Sequence, residues 1–74
     1  MSVFNLAKGK SGIISDVKVD GAAGDRLNAL GIKKGAMVTV VAFSLFNSGV
    51  LIMAGYNRIG LRKCVAERIE VTAC

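Results

Sequence analysis

The sequence contains no histidine, no tryptophan and no proline, and only one tyrosine and two cysteines among its 74 residues. Without histidine it lacks the commonest general base and the commonest transition-metal ligand. Cys64 and Cys74 have no second pair to join, so neither a zinc cluster nor a C-x-x-C redox site can be assembled from one chain. Cys74 is the last residue, where chains fray, and both cysteines are expected as reduced thiols of a cytosolic protein. Cys64 is read as a small apolar filler. Ser2, Ser11, Ser15, Ser44 and Ser48 have no base to activate them in a triad. An enzyme is therefore not expected, and no catalytic residue, metal ligand or cofactor site is assigned.

Long apolar runs are missing too. The longest, Met37 to Phe43 (interrupted by Thr39) and Val50 to Ala54, fall far short of the roughly 20 residues that span a bilayer. No basic stretch followed by an apolar one and a small-residue cleavage site opens the chain, so no signal peptide is expected. No repeat, low-complexity segment or linker divides the sequence, and residues 1–74 are expected to form a single domain.

What is present is a dense supply of apolar residues, 53% of the chain. A small domain needs it, because a chain of this size buries only about 60% of its unfolded surface. Ten Lys and Arg stand against five acids, for a net charge of +5. That balance suits an acidic protein surface, nucleic acid or anionic lipid as partner, or simply keeps a very apolar small protein from aggregating.

The stretch from Asp25 to Gly35 organises the rest. Ala23, Leu27 and Leu30 fall at i, i+4 and i+7 on one helix face. Gly31 follows as the helix stop, where a left-handed cap costs glycine nothing, and Ile32 can fold back on Leu27 or Leu30. Lys33-Lys34-Gly35 is a tight reversal into Met37–Phe43, whose β-branched and aromatic content marks a strand.

Before this unit, Val3, Phe4 and Leu6 form an arm against the core. Lys8-Gly9-Lys10-Ser11-Gly12 is a turn; its lysine and serine lie between the glycines, so the G-x-x-x-x-G-K-[ST] spacing of a phosphate loop is not met. Ile13 to Val19 alternates as a half-buried strand, with Ile13, Ser15, Val17 and Val19 on one side and Ile14, Asp16, Lys18 and Asp20 on the other. Asp16, Lys18 and Asp20 make a solvated face of alternating charge rather than a metal site. After Phe43 come a loop at Ser44–Gly49, a strand at Val50–Ala54 and a turn at Gly55-Tyr56-Asn57. A strand with Ile59 and Leu61 inward and Arg58 and Arg62 outward follows. A helical turn at Lys63–Arg68, with Ala66 and Ile69 inward, leads to a last strand at Glu70–Thr72. The chain is thus expected to be mainly β: a small, partly open barrel of about five strands, with a short helix after the first long strand and a helical turn before the last.

Strands of such a barrel should alternate, yet Met37, Val41 and Phe43 oppose Val38, Val40 and Ala42, and Val50, Ile52 and Ala54 oppose Leu51 and Met53. Either the helix and arm cover the outer face, or it is a contact surface, including one for a second copy of the chain. The loop residues Leu45 and Phe46 pose the same question. With Arg58 and Arg62 as charged neighbours, they are the candidate partner-binding residues.

The runs R-L-x-x-L-G-I-x-x-G at Arg26–Gly35 and I-x-L-R-x-x-x-A-x-x-I at Ile59–Ile69 resemble those of FeoA, the small cytosolic component of bacterial ferrous iron uptake. The likeness extends over nearly the whole chain. It implies an SH3-like barrel that associates with FeoB, the membrane protein carrying a cytosolic GTP-binding domain, and modulates its transport or nucleotide cycle. It brings no catalytic residue. Such a protein is cytoplasmic, reaching the inner face of the membrane only through its partner. Two departures stand out: Lys34 where the family often has proline, and a Ser44–Gly49 loop without the proline and acidic residues often found there. The alternative function is a small basic barrel that binds nucleic acid, against which the scarcity of aromatics counts.

Overall fold

The computed structural model describes residues 1–73, with every side chain except that of Asn47; Cys74, expected as a free thiol, lies outside the described residues. Five strands run β1 (Ser11–Val17), β2 (Met37–Phe43), β3 (Gly49–Ala54), β4 (Asn57–Arg62) and β5 (Ile69–Ala73). The nine-residue helix α1 (Gly21–Ala29) follows β1, and the single turn α2 (Lys63–Ala66) precedes β5. All pairs are antiparallel in one sheet of order β4-β3-β2-β1-β5. The sheet is strongly coiled around its core and is not closed, since β4 and β5 remain its edges.

The expected unit of helix, cap, turn and strand is present. α1 ends in a Schellman arrangement: the Ile32 N–H donates to the Leu27 carbonyl at 2.9 Å and the Gly31 N–H to the Asn28 carbonyl at 3.1 Å. Gly31 takes φ +91° to allow it, and the bonds fold Ile32 back beside Leu27, both of them buried. Leu27 alone carries the helix into the core, for Ala23 and Leu30 are exposed. Gly24 has a separate reason, because a Cβ there would collide with the Val19 carbonyl oxygen. The turn after the cap closes from the Ala36 N–H to the Lys33 carbonyl at 3.1 Å and is stitched to β1 by the Gly35 N–H on the Ile14 carbonyl at 2.8 Å.

Two register shifts answer the puzzle of strands apolar on both faces. In β1 the pairing with β5 jumps between Ile14 and Asp16, and in β2 the pairing with β3 jumps between Val40 and Ala42. Each jump is a β-bulge, which adds a residue on one strand and flips the alternation beyond it. Before the first bulge Ile14 points inward and Ile13 does not, which corrects the expected parity; beyond it Val17 stands opposite the buried Ile69. In β2, Val38 and Val40 are buried; past the bulge Phe43 stands opposite the buried Val50 and meets Phe4 edge to face, with ring centroids 5.5 Å apart. β1 also runs from Ser11 to Val17 rather than from Ile13 to Val19, because Ser11 already pairs with Thr39 and their hydroxyls bond at 2.7 Å.

The amino-terminal arm seals one edge. A 3₁₀ turn at Val3–Asn5 puts Val3 and, just after it, Leu6 into the core. The Val71 N–H donates to the Met1 carbonyl at 2.8 Å, and Ser2 bridges to Glu70. Cys64 is exposed on α2, contrary to the filler expected; Ala66 occupies the inward position of that turn.

Gly31→Ala forces a side chain into the left-handed region and is expected to cost about 1–2 kcal/mol. Gly60, with an ordinary φ and open space within 4 Å of where a methyl group would sit, is the control. Thermal unfolding should show the melting point of Gly31→Ala falling by several degrees, at about 4–8 °C per kcal/mol, with Gly60→Ala unchanged or higher.

Candidate partner-binding surface

The β2–β3 loop is built to hold two apolar side chains in solvent. Its ends are tied by the Ser44 N–H on the Gly49 carbonyl at 2.9 Å. Inside, Leu45–Asn47 form a 3₁₀ turn, and the Ser48 hydroxyl donates to the Leu45 carbonyl at 3.2 Å. Leu45 is 79% and Phe46 92% exposed. Phe46 has φ 60°, ψ 21°, the only non-glycine positive φ among the described residues. A bulky residue in that region carries a cost of about 1–2 kcal/mol. The loop's own hydrogen bonds, not packing of the ring, maintain it.

The four candidate residues do not form one patch. Arg62 stands opposite Gly49 at the foot of the loop, and the neighbouring Lys63 N–H donates to the Ser48 carbonyl at 3.0 Å. Arg62 lines a shallow cleft of about 410 Å³ with Ser44, Ser48 and Gly49. Arg58 stands opposite Met53, four residues along β4, which places it roughly 13 Å away at the rise of a strand. Leu45, Phe46 and Arg62 thus lie at one end of the sheet, where the Lys63 backbone also joins the loop, while the Lys63 ammonium sits over the Phe4 ring, 5.7 Å from its centroid. Arg58 belongs with the fully exposed Tyr56 at the opposite end of the β3–β4 hairpin.

The outer face of the sheet is not covered by the helix or the arm in the way one expectation allowed. Met37 is 55% exposed, and Ile13 opposite it is half-buried, as are Leu51 and Met53 further along the sheet. Asp16, Asp20 and Asp25 line a separate cleft of about 370 Å³ with Lys33 and Lys34. Lys34 approaches Asp16 at 4.0 Å, so charges of both signs share the cleft. Among the described residues no three His, Cys, Asp or Glu side chains come together to hold a metal ion, and no helix is long and apolar enough to cross a membrane.

An open five-stranded antiparallel sheet, with one short helix after its first strand and a helical turn before its last, is a small mainly β domain of the SH3-like class. The FeoA domain model matches residues 1–73, and the chain belongs to that family. Solved structures agree. FeoA from Chlorobium tepidum superposes with a TM-score of 0.93 at 25% identity, covering 99% of this chain and 70% of that one. Iron(II) transport protein A from Clostridium thermocellum gives 0.91 at 26% identity over 99% of this chain, which spans 45% of that protein. FeoA from Stenotrophomonas maltophilia, solved with zinc and described as a procaryotic SH3 domain protein and candidate ferrous iron transport activating factor, gives 0.84 at 29% identity, covering 97% and 89%. No curated protein matches the sequence.

Because the Phe46 ring touches little and its backbone is strained, Phe46→Asn should stabilise the fold. Asparagine tolerates the left-handed region. The expected gain is up to about 1 kcal/mol, read as a rise in melting temperature; a fall would mean that the ring packs on the protein after all.

Proposed function

We propose that this protein is a non-enzymatic cytosolic interaction module of a ferrous iron transport system, binding and regulating an FeoB-like membrane transporter at its GTP-binding domain. Family membership and the descriptions of the Clostridium and Stenotrophomonas relatives support a role in iron transport. The observation that carries the contact is the loop at Leu45 and Phe46. A strained, fully solvated aromatic beside an aliphatic residue has no use in the isolated fold, whereas a large rigid side chain entering a partner's pocket is the usual source of binding energy at an interface. Arg62 at its foot supplies positive charge that speeds and orients the encounter. Regulation then requires no chemistry from this chain: occupying one state of the transporter's nucleotide domain more tightly than another shifts its equilibrium.

Nucleic acid is a poorer fit. Its bases need a platform of exposed rings, but Phe46 and Tyr56 lie at opposite ends of β3, about 17 Å of strand apart. The outer sheet face with Met37 offers a second copy of the chain a place to dock without involving the loop.

Co-purification of the tagged protein from gently solubilised host membranes tests the reading. An apolar anchor resists salt screening, so FeoB should be retained at low and high salt and lost from the Leu45→Ser/Phe46→Ser variant. Retention by that variant, or recovery of nucleic acid alone that disappears at high salt, would contradict it.

A further inference from the structure

The two edges of the sheet are treated differently. β5 is covered by the arm, through the Met1 carbonyl and the Ser2 bridge. β4 is left open. The two-residue hairpin at Gly55-Tyr56 makes Ala54 and Asn57 its closing pair, and in such a hairpin that pair exchanges both backbone hydrogen bonds. Alternation from there directs the backbone groups of Asn57, Ile59 and Leu61 at β3 and those of Arg58, Gly60 and Arg62 away from it. The Arg62 carbonyl begins α2. Three N–H groups and the carbonyls of Arg58 and Gly60 are left, and no backbone or side-chain hydrogen bond among the described residues reaches them.

Proteins that need only to protect such an edge shorten it, bulge it, or place proline or charged side chains on it; of these devices β4 has only Arg58 and Arg62. β4 is six residues long, pairs with β3 without a register shift and has no proline. Gly60, at its centre, leaves open space above the strand. Beside the edge runs a groove of about 210 Å³ between β4 and the helices, with Leu27, Leu30 and Val65 as its apolar wall and Arg26 and Arg62 at its rim. No Asp or Glu lines it.

We infer that the β4 edge is a docking site for an extended acidic segment of a partner protein, which adds to the sheet as an antiparallel sixth strand. Facing residues of paired strands share a face. Segment residues opposite Arg58 and Arg62 are therefore acidic, on the outer face with the two guanidinium groups. Those opposite Ile59 and Leu61 are aliphatic and enter the groove against Leu30 and Val65. The residue opposite Gly60 is unrestricted in size. The recognised pattern is acid, aliphatic, any, aliphatic, acid, with main-chain bonds giving affinity and the alternate pockets giving selectivity. This site shares Arg62 with the foot of the Leu45–Phe46 loop but does not rest on the transporter reading, and Arg58 and Gly60 distinguish the two.

The experiment is a titration of the isotopically labelled full chain with a blocked peptide centred on Asp-Val-Thr-Val-Asp. The amide signals of Arg58, Gly60 and Arg62 should shift, and their exchange with solvent deuterium should slow by at least about tenfold at saturation. Replacing both Asp by Lys should weaken binding by about tenfold or more, and Arg58→Glu/Arg62→Glu should reverse that preference. N-methylation of the central Thr removes the donor to the Gly60 carbonyl and should abolish binding; N-methylation of either Val, whose N–H faces away, should not. The inference is overturned by no binding at millimolar peptide, by binding that leaves those three amides unprotected or moves only Leu45–Ser48, or by indifference to the central N-methyl group. In each of those outcomes Arg58 and Arg62 merely guard the edge.

Discussion

The register shift at Val41 is the constraint on which the rest of the sheet depends. Val40 pairs with Ile52 and Ala42 with Leu51, so β2 advances two residues while β3 advances one. The extra residue bends the strand and raises its twist, which lets a short sheet wrap a core. It also turns Phe43 inward, where its ring meets Phe4 of the arm. The arm then has something to pack on, and its backbone can complete the β5 edge. The matching shift at Ser15 does the same for β1, bringing Val17 over Ile69 as the chain leaves for α1. Without the two bulges the strands would divide their apolar residues between two faces, and a domain this small has only one core to fill.

The helix is attached at a single point by comparison. Leu27 and Ile32, held side by side by the cap at Gly31, plug the interior between β1 and β4. Truncating either would cost about 2–5 kcal/mol, more than the cap bonds themselves contribute. α1 otherwise lies on the surface, and this loose attachment is what leaves a groove between it and β4. The same economy leaves the β2–β3 loop without a covering element, so its two apolar side chains face solvent. The surfaces available to partners therefore lie where the small fold has no further chain to cover them.

Much of this was legible in the residues. The β-branched run Met37–Phe43 became β2 with those limits, and Leu30-Gly31-Ile32 announced the cap. Ile59 and Leu61 against Arg58 and Arg62 read correctly as a strand with one buried and one wet face; that it is an edge came only from the strand order. The bulges were not legible, because a period of two carries no mark of an inserted residue when both parities are apolar, as at Val40-Val41-Ala42. In β1 the charges of Asp16, Lys18 and Asp20 point Ile13 inward by simple alternation, and only the shift at Ser15 separates Ile14 from their side. The direction of Cys64 was missed because one helical turn is too short to show a periodicity. For the candidate surface, composition picked out Leu45, Phe46, Arg58 and Arg62, but only strand pairing shows that Arg62 stands at the loop and Arg58 at the far hairpin.

The central claim is that the exposed loop, and not the charge of the protein as a whole, contacts the transporter. The most direct measurement is a nuclear magnetic resonance map of the labelled chain titrated with the purified GTP-binding domain of FeoB from the same host. The account predicts the largest changes at Leu45, Phe46, Arg62 and Lys63, with affinity nearly independent of salt. Changes spread over the lysines and arginines and erased by salt, or centred on the cleft of Asp16, Asp20 and Asp25, would contradict it.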